Sequence, residues 1–324
     1  MKIDLNIKNH RKWFSVIVNV VIALLLTLWG IYGIEQYGIF LFFLIPFFIG
    51  AGSALLYGHK NEISFSEARN VGFLALFIYS VALIIFAIEG LICIAMAAPL
   101  GFLFTWIGSI VGHLVLTGRN KNASLPFLIL IICLPTCSFL EKDSQPHLTS
   151  VVSSIEINAS AKTVWENVIR FPKLKEPSEF IFKTGIAYPI DAIIDGEGIG
   201  AIRYCNFTTG SFVEPIIIWH QPHILKFSVK QQPAPLKEIS FWDIDAPHLH
   251  DYFVSTEGQF KLTTLKNGNT LLEGTTWYYN DIKPEIYWSF WSKYIVHKIH
   301  YRVLDHIKTN SENKRNITSG NPKR

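Results

Sequence analysis

Charge is scarce in the first 140 residues of this 324-residue chain, which excludes an ordinary soluble domain there. From Val71 to Leu116, Glu89 is the one acidic residue, and no lysine or arginine occurs. Cysteine is sparse as well. Cys93, Cys133, Cys137 and Cys205 form no CxxC pair, which argues against a structural zinc set and against a disulfide framework. The net charge of +4 is mild and not gathered into a basic stripe, so nucleic acid is not an expected partner. Also missing are a phosphate-cradling glycine loop, a Gly-x-Ser-x-Gly elbow and a Cys/His nucleophile pair. The glycines of "GEGIG" (Gly196 to Gly200) read as hairpin geometry.

What the first part does have is long apolar runs. "WFSVIVNVVIALLLTLWGIYG" (Trp13 to Gly33) and "YGIFLFFLIPFFIGAGSALLY" (Tyr37 to Tyr57) each suffice for one crossing of about 20 residues. Val71 to Leu116 is long enough for two, turning near Glu89-Gly90. A shorter run, Leu125 to Leu140, makes a fifth. A cleaved signal peptide does not fit, because further spans follow directly. Basic residues fall in the leader "MKIDLNIKNHRK", in the loop with Lys60 and Arg69, and in "GRNKN" (Gly118 to Asn122). The turns near Glu35 and Glu89 have none. Positive ends face the cytoplasm, so the N-terminus is expected inside. Five crossings then place the remainder outside the cytoplasm, in the periplasm of an inner or plasma membrane protein. If the fifth run does not cross, the remainder is cytoplasmic. Glu35 and Glu89 are expected as loop carboxylates rather than a proton relay.

From Glu141 the composition is that of a soluble domain. Residues 141–150 read as a linker and "VVSSIEINAS" alternates as a strand. Ser160 is placed to cap a helix bearing Val164, Trp165, Val168 and Ile169 at helical spacing. Six strand-like runs follow: 190–195, 199–207, 212–219, 224–230, 252–262 and 271–279. Turn signals separate most of them, including the Asn-Gly of "KNGN". Pro284 then opens a helix running to Lys308, and 309–324 read as a disordered polar tail. The expected domains are therefore a transmembrane helical bundle over 1–140 and an α+β domain over 151–308.

This element order resembles the helix-grip fold of the START and Bet v 1-like (SRPBCC) superfamily, also labelled polyketide cyclase/dehydrase and lipid transport. The resemblance rests on "SSIEINASAKTVWENVIRFPKL", on "GEGIGAIRYCNFTTGSFVEPIIIWHQPHILKFSV" and on "NTLLEGTTWYYNDIKPEIYWSFWSKYIVHKIH". It implies a curved antiparallel sheet around a long C-terminal helix, with a hollow between them for a hydrophobic small molecule. It carries no catalytic signature, so it does not decide between binding, a cyclase/dehydratase-type enzyme on a polyketide- or isoprenoid-like substrate, and a sensory or structural domain with a filled interior. No cofactor and no metal are expected.

Candidate residues follow from alternation. Phe212, Glu214, Ile216 and Ile218 share one face of their strand. A turn at Thr209-Gly210 sets Cys205 opposite Glu214 and leaves Arg203 diagonal to Glu214 on that face. Arg203, Phe207, Phe212, Glu214, Ile216, Tyr252, Trp277, Trp288, Trp291 and Ile295 are the expected ligand contacts. Arg203, Glu214, His248 and Asp251 are the groups available for acid–base chemistry. The "HLHD" stretch (His248 to Asp251) lies in a greasy, proline-punctuated excursion, Gln231 to Phe253, read as a lid or membrane-facing flap. On the last helix, an inward face through Trp288, Trp291, Ile295, Ile299, Val303 and His306 leaves His297 pointing away, so the three histidines do not converge. Phe290, Tyr294 and Tyr301 on the far side admit packing against the membrane region, a homo-oligomer contact or core packing.

Overall fold

The computed structural model describes residues 7–35, 37–117, 125, 128–129, 132, 147–242 and 244–319, with the backbone alone over 314–319. Most of the expected fifth span, 125–140, lies outside them, as do most of the 141–150 linker and residues 320–324. The chain divides into two compact units.

The first unit is helical: α1 (Lys8–Leu28, continued by a π-turn over Trp29–Ile34), α2 (Ile45–Tyr57, preceded by a π-turn over Phe40–Leu44), α3 (Phe65–Ile85) and α4 (Leu91–Thr117). All four stretches are long and apolar enough to cross a membrane. Large apolar side chains such as Leu25, Phe77 and Leu114 point outward, more than 60% exposed, as helices solvated by lipid require. Small residues make the inner seam. A Cβ on Gly50 would stand 2.0 Å from the Thr105 carbonyl oxygen, and one on Gly108 2.1 Å from that of Phe47, so α2 and α4 touch backbone to backbone. Buried polar groups bond between helices. Asn19 Nδ2 donates to the Ile49 carbonyl and to Ser53 Oγ, and Thr27 Oγ1 shares a bond with Tyr79 Oη. Ser64 and Glu67 form a capping box at the start of α3.

Glu35 is exposed, in a left-handed conformation after the first helix. Glu89 is a loop carboxylate as expected, in the turn between α3 and α4, but it is buried, only 9% exposed. The helical unit also takes in Glu238–Pro247 and Ile282–Pro284, segments the chain returns from the second unit.

The second unit is one seven-stranded antiparallel sheet, β1 (Thr149–Ile157), β2 (Pro189–Asp195), β3 (Ile202–Phe207), β4 (Gly210–His220), β5 (Ile224–Ser228), β6 (Phe253–Thr264) and β7 (Thr270–Asn280). Its order is β1-β7-β6-β5-β4-β3-β2. Helix α5 (Ala161–Ile169) begins at Ser160, whose Oγ accepts from the Thr163 N–H. Helix α6 (Glu285–Ser319) packs along the sheet, and this is the helix-grip architecture. α6 continues beyond Lys308 to Ser319, so residues 309–319 are helix rather than disordered tail. Lys308 and Glu312, one turn apart, bond β1–α5 backbone groups at Glu156 and Asn158.

The core fills one end of this unit. Trp165, fully buried, meets Trp219 edge-on at 5.6 Å among Ile157, Leu225, Leu272 and Leu304. β4 slips register between Ile216 and Ile218, just after Pro215, which cannot donate to the ladder. That bulge re-aims the strand. Phe212, Glu214 and Ile216 keep one face, but Ile218 is 40% exposed and Trp219 packs on the core instead.

Candidate ligand cavity

Where the core stops, the sheet and α6 leave a cavity of about 160 Å³. At roughly 10–15 Å³ per water this is room for on the order of ten waters, enough for one ring system or a length of acyl chain. Its wall is largely apolar, with Phe207, Phe212, Phe227 and Phe260 from the strands and Ile295 and Ile299 from α6. Arg203, Cys205, Glu214, Glu257 and His300 are the ionisable groups in its wall, with Arg203 and Glu214 buried.

Arg203 and Glu214 stand directly opposite each other on β3 and β4, because the hairpin turns at Thr208-Thr209 with Phe207 paired to Gly210. The expected register was displaced by one pair, which preserves the face and turns a diagonal contact into a direct one. Gly210 has a φ of +144°, a conformation that favours glycine beside so tight a turn. Arg203 Nη1 donates to Glu214 Oε2, and both side chains are nearly inaccessible to water. The guanidinium also lies over Phe171, Phe227 and Phe260, 5.2–5.8 Å from their ring centres. Burial pushes the Glu214 carboxyl up and Arg203 opposes it. Burial pushes the Cys205 thiol to about 12, so Cys205 is an inert buried thiol. Arg203 Nε, also buried, has no hydrogen-bond partner among the described residues.

On the α6 side, His300 Nε2 shares a 2.8 Å hydrogen bond with Thr276 Oγ1. Its Nδ1 lies 3.1 Å from Ser153 Oγ, which is 2.7 Å from His297 Nδ1. Burial, then the neighbouring His297, lowers the His300 pKa to about 4, so it is neutral near pH 7. His297 and His300 thus do converge, on the Ser153 hydroxyl of β1. His306 is elsewhere, edge-on to Phe171 and bonded to Asn310.

Of the sequence-derived contacts, Arg203, Phe207, Phe212, Glu214 and Ile295 line the cavity. Ile216, 1% exposed, belongs to the core, and Tyr252 precedes β6 outside the wall. Trp277 is on the opposite face of β7, under the Lys226 ammonium at 4.7 Å. Trp288 and Trp291 lie on α6 before the cavity begins and meet Tyr287 and Phe290 edge-on. The cavity-facing side of α6 carries Ile295, Val296, Ile299, His300, Val303 and Leu304, so Ile295, Ile299 and Val303 of the expected inward face are on it. His248 is buried in a short 3-10 turn, Pro247–Leu249, where burial lowers its pKa to about 4. Asp251 is exposed at φ +60°. Neither lines the cavity.

Sequence reasoning missed His300, Thr276 and the aromatic ring set around Arg203. The excursion after β5 also divides. Gln232 to Pro235 form part of the cavity wall, tied down by Gln232 Nε2 to the Phe253 carbonyl and by Thr209 Oγ1 to the Ala234 carbonyl. Residues 238–247 group with the helices.

No protein-family model matches the chain, and no curated protein matches it. Among solved structures it is similar to a norcoclaurine synthase point mutant from Thalictrum flavum in complex with a transition-state analogue, at 12% identity over 53% of this chain and 99% of that one, TM-score 0.35. It is also similar to the di-domain ARO/CYC StfQ of the steffimycin biosynthetic pathway, at 10% identity over 61% and 63%, TM-score 0.36. A third is the Zhui aromatase/cyclase from Streptomyces sp. R1128, at 11% identity over 53% and 96%, TM-score 0.35. At these identities the likeness concerns fold alone.

Proposed function

We propose that this chain is a membrane-anchored binding or transfer protein for a lipid-like hydrophobic molecule bearing one hydrogen-bond-accepting group. The observation that carries the reading is a mostly apolar cavity whose one buried guanidinium keeps an unpartnered N–H. A buried donor left unmade costs about 1–3 kcal/mol, more when charged, and a ligand oxygen removes that cost. Glu214 neutralises Arg203, so a neutral carbonyl or hydroxyl fits the charge balance better than a second carboxylate.

The ligand domain is assigned to the non-cytoplasmic side. The turns at 35–39 and 86–90, at one end of the bundle, carry no lysine or arginine, whereas Lys8, Arg11, Lys12, Lys60 and Arg69 sit toward the other. Within the helical unit, Glu238 bonds Cys93 at the start of α4 and the Lys283 N–H donates to the Tyr37 carbonyl. Within the helical unit, both returning segments therefore lie at the end without basic residues.

The His300–Ser153–His297 chain favours a second reading, a cyclase-type enzyme in which His300 relays a proton at the cavity wall. Photolabelling addresses binding itself. Full-length protein reconstituted in vesicles with a photoactivatable fatty acid should be labelled on peptides covering 203–214 and 295–304. Labelling restricted to the four apolar helices would contradict the reading.

A further inference from the structure

The helical unit holds a second cluster of ionisable groups, none of which lines the cavity. Glu89 in the turn before α4, Cys93 in the first turn of α4 and Glu238 of the returning segment offer ligand atoms within 4.8 Å of one another. All three residues are buried or nearly so. The chain makes room for this cluster deliberately at Gly90. A Cβ there would stand 1.7 Å from Glu238 Oε2, so no other residue lets that carboxylate in without a shift.

Cys93 Sγ donates to Glu238 Oε1 at 2.7 Å. The other oxygen, Oε2, is buried with no hydrogen bond that meets normal geometry, on a residue only 7% exposed. An acid near the start of a helix is favourable in itself. That accounts for Glu238, but not for a second buried acid and a thiol beside it. Such groups need either protons or a cation to be buried together.

The donor set decides which cation. Two carboxylate oxygens and one sulfur do not suit magnesium or calcium, which take oxygen throughout. They suit a borderline divalent ion that accepts both oxygen and thiolate. We propose that Glu89, Cys93 and Glu238 bind a zinc-like divalent transition-metal ion at this end of the bundle. The ligands coordinate deprotonated, so binding releases the thiol proton and any carboxyl proton to solvent.

The test uses full-length protein in detergent, stripped with chelator and titrated with Co²⁺. The expected result is saturable binding of one equivalent with a near-ultraviolet thiolate-to-cobalt band, displaced by Zn²⁺. Cys93→Ser should lose the band, and Glu238→Gln should weaken binding by about tenfold or more, each with wild-type circular dichroism. Should Cys93→Ser fail to fold, Zn²⁺ protection of Cys93 from alkylation in the wild-type protein decides the question. Absence of saturable binding, a band that survives Cys93→Ser in folded protein, or no protection would overturn the proposal. None of these outcomes touches ligand binding in the sheet domain, which is read separately by photolabelling.

Discussion

Arg203 and Glu214 face each other across the β3–β4 hairpin as a buried ion pair, ringed by Phe171, Phe227 and Phe260. Breaking such a pair on one side strands a charge, whereas replacing both partners with apolar residues need not. Arg203→Ala should therefore destabilise the protein by about 3–5 kcal/mol. Arg203→Met with Glu214→Leu should recover most of that loss. Thermal unfolding of the full chain in detergent reads both, and equal losses in the single and double variants would refute the pairing.

His300 supplies a pH dependence. Its folded pKa lies at about 4, below the ordinary histidine value of 6.5, because it is buried and neutral. The unfolded chain binds the proton first, so this stability is complete above about pH 6.5 and is lost as pH falls toward 4. The full effect is about 3 kcal/mol, from roughly 1.4 kcal/mol per unit. His248 titrates in the same window, for the same reason. His300→Gln should flatten part of the decline in unfolding free energy between pH 6.5 and 4, and an unchanged slope would count against a buried neutral His300.

The α2–α4 seam predicts opposite outcomes for two glycines on one helix. At Gly108 an added methyl meets the Phe47 backbone, while at Gly101 its nearest neighbours are Leu76 methyls at 3.8 Å. Gly108→Ala should cost about 1–3 kcal/mol and Gly101→Ala close to nothing. Melting temperatures of the two variants in the same detergent make the comparison, and a tolerated Gly108→Ala would show that the helices are not packed this closely.

Membrane sidedness is open to a fusion experiment. Alkaline phosphatase joined after Arg324 folds to an active enzyme only when exported. The five-crossing arrangement predicts activity in bacterial cells. A silent phosphatase, with a fluorescent cytoplasmic fusion at the same point, would place the sheet domain inside.

Most of the fold could be read directly because its signals are local. The four described apolar runs are set by length and composition alone, and all six later strands occur within a few residues of their alternating runs. Ser160 caps α5 because a short hydroxyl at that position has few other uses. Phase was harder. The hairpin could turn one residue earlier because Gly210 serves equally well as its closing residue, and the bulge after Pro215 moved Ile218 outward and Trp219 inward. On α6, aromatic residues cover most of the first two turns, so the stripe offers no unique centre; Ile295, Ile299 and Val303 of the expected face do line the cavity, while Trp288 and Trp291 do not. His300 was obscured for that reason, and its partners Thr276 and Ser153 belong to strands more than twenty residues away. Glu89 and Glu238 are almost 150 residues apart, and no local pattern at either one records the other.

The account stands on the cavity being occupied. Mass spectrometry of the small molecules that leave full-length protein on denaturation, compared between the wild type and Val229→Trp, which fills the cavity wall, is the most direct measurement. A hydrophobic compound with an oxygen-bearing polar end should accompany the wild type in near-stoichiometric amount and be depleted from Val229→Trp. An empty wild-type protein, or the same molecules carried equally by both, would contradict it.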